Sequence, residues 1–154
     1  MKLLARSNPR MPLTAPQELL VGMLFLGTLL PSCAPEAERV EVRIVEPADG
    51  DTVAGDAEMK LSVSGIEITP ASDHRPGTAH HHLFVDREVT PAGEKMPSGT
   101  TGLIHLGKGD SAFTIQSLAP GEHRVIAVLG DSAHVPLDPF VTDTISLWVV
   151  PPAP

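Results

Sequence analysis

The 154-residue chain reads as an all-β protein, an immunoglobulin-like antiparallel β-sandwich after a cleaved N-terminal signal. Three observations predict this. Short segments alternate apolar and polar residues with period two, as strands with one buried face do. Sixteen prolines and 13 glycines separate those segments, which suits turns and strand ends and opposes helices. No segment carries a capped apolar period of 3.6 residues.

Residues 1–32 predict a lipoprotein signal peptide. Lys2, Arg6 and Arg10 form a basic start. Residues 19–30 are apolar but too short to span a bilayer core, which takes about 20 residues; they match a signal h-region. They run into Leu30-Pro31-Ser32-Cys33, which resembles the bacterial lipobox, where the cysteine is acylated and becomes the new N-terminus. Cys33 is the only cysteine, so its acylation leaves no disulfide and no thiolate ligand. A plain secretory signal with an incidental cysteine is the alternative. Residues 33–39 then form a tether, residues 40–150 a single β-sandwich domain, and residues 151–154 a Pro-rich tail.

Within the domain, Val40, Val42 and Ile44 alternate with Glu41 and Arg43 in a first strand. Pro47-Ala48-Asp49-Gly50-Asp51 is a turn. Met59, Leu61 and Val63 mark a second strand, residues 66–69 a short third, and residues 71–78 a loop. His80-His81-His82-Leu83-Phe84-Val85-Asp86 is the next strand, followed by a long polar connection over residues 90–101. Residues 103–106 are extended. Phe113, Ile115 and Ser117 alternate with Thr114 and Gln116. Ala119-Pro120-Gly121 turns into a strong strand over residues 122–129. Residues 130–139 form a loop, and residues 141–150 close the domain.

Charge bounds the partners. The formal net charge is −8, and the signal segment holds three basic residues and one acidic one, so the mature chain is more acidic still. That excludes nucleic acid and charge-driven binding to anionic lipid. Membrane attachment would come from acyl chains on Cys33, each buried methylene contributing about 0.8 kcal/mol.

Seven histidines and no tyrosine point to imidazole chemistry. Side chains alternate along a strand, so His80 and His82 share one face while His81 points the other way with Leu83 and Val85. His105 and His134 fall at a strand end and in a loop, and the ends of a sandwich can bring such residues together. His80, His82, His105 and His134 are therefore candidate ligands for copper or zinc, both of which suit neutral imidazole. Asp131 is a candidate fourth ligand or a carboxylate that fixes an imidazole tautomer. Each has a plainer reading. His80 and His82 can belong to a hydrogen-bond network, and Asp131 can cap loop amides. His81 is expected at the core edge with one hydrogen bond, and His123, in step with Val125, Ala127 and Leu129, in a structural or supporting role. His74 is expected to be solvated.

Enzymatic signatures are absent. There is no Gly-x-Ser-x-Gly elbow, no His-Glu-x-x-His, and no helix after Gly107-Lys108-Gly109 to complete a phosphate loop. A non-enzymatic protein is the expectation.

Four motifs taken together resemble a known family. They are the run from His80 to Asp86, His105-Leu106-Gly107-Lys108-Gly109, Pro120-Gly121-Glu122-His123, and Gly130-Asp131-Ser132-Ala133-His134-Val135-Pro136. They are similar to the bacterial domain of unknown function 4399, found in exported proteins of Gram-negative bacteria, over roughly residues 42–150. Leu137 stands where members often carry a further histidine. The family has no established activity, but the resemblance implies that the histidines form one set. Two functions follow as expectations. One is a lipid-anchored module on the periplasmic side of the envelope, with the outer membrane preferred because Ala34 follows Cys33, that binds copper or zinc. The other is a structural or protein-interaction domain with architectural histidines and a partner at the envelope.

Overall fold

The computed structural model describes residues 38–152. The signal peptide, the lipobox at Cys33 and most of the tether lie outside the described residues, as does the end of the Pro-rich tail. The described chain is all-β and contains no helix. Its strands are β1 (Glu41–Glu46), β2 (Thr52–Ala54), β3 (Ala57–Ser64), β4 (Glu67–Ile68), β5 (Thr78–Val85), β6 (Leu103–Leu106), β7 (Ala112–Ile115), β8 (Gly121–Gly130) and β9 (Thr142–Val150).

They form two sheets. The smaller has the order β1-β3-β7, and the larger runs β2-β9-β8-β5, with β4 and β6 placed one after the other along the remaining edge of β5. One apolar core lies between the sheets: Val42, Ile44, Met59 and Leu61 from the smaller meet Leu83, Val125, Ala127, Leu129 and Leu147 from the larger. The alternation read from the sequence accounts for these contacts. In β1, Val42 and Ile44 are buried while Glu41, Arg43 and Glu46 are exposed.

The expected wholly antiparallel arrangement does not hold. β2 pairs with β9 in parallel, and β4 pairs with β5 in parallel. Both parallel strands are very short. β4 falls within the short strand expected over residues 66–69, whereas β2, with three residues beside its turn, has too little alternation to declare itself. Their order comes from the longer strands that they extend.

β5 departs from the half-buried pattern as well: all of its residues are buried. One face contributes Leu83 and Val85 to the core between the sheets. The other contributes Phe84 to a second apolar cluster with Ile126, Val128 and Met96. Met96 arrives from the long connection between β5 and β6, so part of that polar segment covers the outer face of the large sheet.

Gly65 stands where the chain leaves β3 in the small sheet for β4 in the large one. Its φ is +73°, and a Cβ there would lie 2.6 Å from the carbonyl oxygen of Arg39, just before β1. Only glycine fits so close a backbone crossing. Gly65→Ala should therefore lower stability by about 1–2 kcal/mol from the left-handed conformation alone, read as a lower denaturant midpoint; an unchanged midpoint would mean that the crossing relaxes freely.

Candidate metal centre

Strand geometry assembles the site. His80 and His82 project from the same face of β5 as Phe84, away from the core between the sheets. His105 on β6 is the direct cross-strand partner of His82, and their rings stack with centroids 5.0 Å apart. His80 pairs with Gly130, the last residue of β8, and the loop after Gly130 returns His134 to the same place. Ring centroids of His80 lie 4.6 Å from His82, 4.9 Å from His105 and 4.9 Å from His134. His105 and His134 are 4.6 Å apart.

Each of the four imidazoles offers a nitrogen, and these nitrogens all lie within 4.8 Å of one another. Nitrogens bound to one zinc or copper ion sit about 2.0–2.1 Å from it, so no two can be separated by more than about 4.2 Å. Small side-chain rotations close that difference. His80 and His82 are each only 1 % exposed, whereas His105 is exposed and His134 half-buried. The site therefore has a buried floor and an accessible rim. The rim borders a cavity of about 210 Å³ lined by His82, His105, His134 and Met96.

The buried nitrogens lack partners. Nε2 of His80 and both ring nitrogens of His82 make no hydrogen bond. Leaving such groups unsatisfied costs about 1–3 kcal/mol each, and a metal ion would satisfy one nitrogen of each ring. Burial first, then the like charge that neighbouring imidazoles would carry, pushes His80 down to about 4 and lowers His82 further. Burial likewise lowers His105, with His134 adding to the effect. His80, His82 and His105 are thus biased toward the neutral form that metals require.

The loop carrying His134 is built by Asp131. Oδ1 of Asp131 accepts hydrogen bonds from the backbone N–H of Ala133 and of Val135, both at 2.9 Å. The backbone N–H of His134 donates to the carbonyl of Asp131. This turn holds His134 at φ +65°, a conformation that a non-glycine residue adopts only when its surroundings impose it. Asp131 is not among the residues whose ligand atoms cluster within 4.8 Å of one another. It caps loop amides and shapes the turn that delivers one of them.

The remaining histidines take other places. His81 faces the core between the sheets, where Nδ1 donates to the carbonyl of Asp110 at 3.0 Å. Burial lowers its pKa, against the opposing effect of that bond. His74 is exposed. His123 lies apart, with Nδ1 2.6 Å from Oδ2 of Asp86 and Nε2 2.7 Å from the carbonyl of Ala119. Both partners are acceptors, so both ring nitrogens must donate, and that requires the imidazolium. The Ala119 carbonyl above all, helped by the Asp86 carboxylate, accordingly raises its pKa against the opposing effect of burial.

Three contributors escaped the sequence reading. At Gly130, a Cβ would stand 2.5 Å from Cε of Met96 and 3.0 Å from Cε1 of His82; at Gly107 it would stand 2.3 Å from Cε1 of His105. Both glycines leave room for imidazole rings. Met96 is the third, and its position in a polar connection gave no periodic signal.

Comparison with known proteins gives a family and little more. A family model described as "Domain of unknown function (DUF4399)" matches residues 59–150. No curated protein matches the chain. Among solved structures, the endo-beta-1,4-mannanase from Thermotoga petrophila superposes with a TM-score of 0.46 at 16 % identity, covering 76 % of this chain and 21 % of that one. The extracellular domain of the putative one component system BT4673 from B. thetaiotaomicron gives a TM-score of 0.39 at 10 % identity, covering 77 % and 16 %. The chain thus spans about a fifth of the length of the mannanase.

Two opposite pH responses follow. Imidazoles held below their unfolded pKa of 6.5 leave the folded state short of protons, so the metal-free protein should lose stability as pH falls from 6.5 toward 4. That loss should shrink in His82→Leu, as read from denaturant midpoints at pH 7 and 5; an identical loss would place the acid sensitivity elsewhere. For His123, raised in the folded state, the contribution is complete below pH 6.5 and disappears as pH rises through the folded pKa. An NMR titration should place the His123 midpoint above 6.5, and Asp86→Asn should bring it down.

Proposed function

The chain belongs to the DUF4399 family, and on that premise we propose that it is a non-catalytic protein of the cell envelope that binds one transition-metal ion, copper or zinc, through His80, His82, His105 and His134. The observation that carries this reading is the convergence of four imidazoles around buried ring nitrogens that have no other partner. An architectural role for these histidines would require those nitrogens to be bonded to the loops or to each other, and His82 is bonded at neither position.

Four protein ligands also bear on the kind of function. Catalytic zinc sites keep a coordination position open for water or substrate, while closed sites are structural or hold the ion itself as cargo. Four converging imidazoles favour the closed type, and with it storage, sequestration or delivery. The accessible rim formed by His105 and His134 suits an ion that must enter and leave. In the same reading the domain is an immunoglobulin-like sandwich with edge strands added in parallel, supported by two sheets that share one core. Acylation of Cys33 would anchor it on the periplasmic side of a Gram-negative envelope, with the outer membrane preferred, supported by the basic, apolar and lipobox pattern of residues 1–33.

Calorimetric titration of the metal-stripped protein with Cu²⁺ and Zn²⁺ at pH 7 should show one ion per chain bound with micromolar or tighter affinity. The His80→Ala/His82→Ala variant should bind at least about 100-fold more weakly, a loss of about 2.7 kcal/mol or more. A folded wild-type protein that binds neither ion would overturn the proposal.

A further inference from the structure

Met96 is the one buried residue in an otherwise polar stretch. Lys95 and Glu94 before it, and Pro97 and Ser98 after it, are exposed, while Met96 is 2 % exposed. It lines the same cavity as His82, His105 and His134. Its methyl group and the His82 ring both lie within about 3 Å of one point, the position beside Gly130 where no Cβ stands. The segment is also tied to the ligand loop, since the backbone N–H of Met96 donates to the carbonyl of His134 at 2.8 Å. Placement of the Met96 side chain is therefore coupled to that of two imidazoles.

A thioether in an imidazole cavity changes which metal the cavity favours. Imidazole serves zinc and copper alike, whereas thioether sulfur is a soft donor that selects monovalent copper. Methionine is also an adaptable apolar side chain, with three rotatable bonds, so its sulfur can turn toward an ion while the residue keeps its place in the apolar cluster with Phe84, Ile126 and Val128. We infer that Met96 is a soft ligand of this centre and that the ion it is built to hold is Cu⁺. This rests on the imidazole cluster being a metal site, and it goes further by adding a ligand and naming the ion.

The test uses the full chain carrying Cys33→Ala, so that no thiol competes, with and without Met96→Leu. Leucine conserves volume and apolarity and keeps the core packed. Cu⁺ affinity, measured without oxygen against a chromophoric Cu⁺ chelator, should fall about tenfold or more in Met96→Leu while Zn²⁺ affinity stays within about threefold. Copper-edge X-ray absorption should show a sulfur neighbour in the parent that is missing in the variant. If Met96→Leu leaves Cu⁺ affinity unchanged, or weakens Zn²⁺ equally, Met96 only packs the cavity and the inference falls while the imidazole site stands. If the parent binds neither Cu⁺ nor Zn²⁺, the imidazole site falls with it.

Discussion

The fold is organised around β5, a strand buried on both faces that carries three adjacent imidazoles. An interior strand is normally apolar throughout, because each polar atom taken from water must find a partner. Alternation makes the conflict unavoidable here: whichever face meets the core between the sheets, at least one imidazole goes with it. The surroundings accommodate the rings individually. Asp110 offers a carbonyl to His81, and glycine at positions 107 and 130 leaves space beside His105 and His82. The connection after β5 folds back to place Met96 over the outer face. Much of the irregular chain around the large sheet is explained by what β5 carries.

Much of this was legible in the residues. Period-two alternation located β1 and β3 within two residues, because their burial is what alternation records. It also separated His81 from His80 and His82. His105 and His134 could be grouped with them because strand ends and loops gather at the ends of a β domain. What stayed hidden lacked periodicity. β2 is too short to alternate, and the parallel pairing of β2 and β4 depends on which edge is free, a property of the assembled sheets. Asp131 was read both as a ligand and as a loop cap, and only the position of its carboxylate distinguishes the two. Gly107 and Gly130 look like turn residues, yet their contribution is the absence of a Cβ beside a ring that comes from elsewhere.

Two populations of histidine coexist in one small domain and are tuned in opposite directions. The cluster at His80 and His82 is kept neutral by burial and by mutual proximity. His123 is tuned toward the protonated form because it lies between a carbonyl and a carboxylate. Asp86, at φ +53°, also accepts from the backbone N–H of Arg124, so this second arrangement joins the end of β5 to β8. Imidazole serves as a charged clasp in one place and as a bare nitrogen in the other, and the difference lies wholly in what surrounds it.

His80 and His82 are neighbours along the chain, but His105 is separated from them by the long connection between β5 and β6, and His134 by the whole of β6, β7 and β8. In the unfolded chain no four-nitrogen site exists; folding creates it. An ion held there would therefore join β5, β6 and the loop after β8 as a removable cross-link, adding stability by the mass-action law for a ligand of the folded state, about 2.7 kcal/mol when free ion exceeds its dissociation constant a hundredfold. The order of events is then fixed. An ion could enter only after β5, β6 and the loop after β8 have come together.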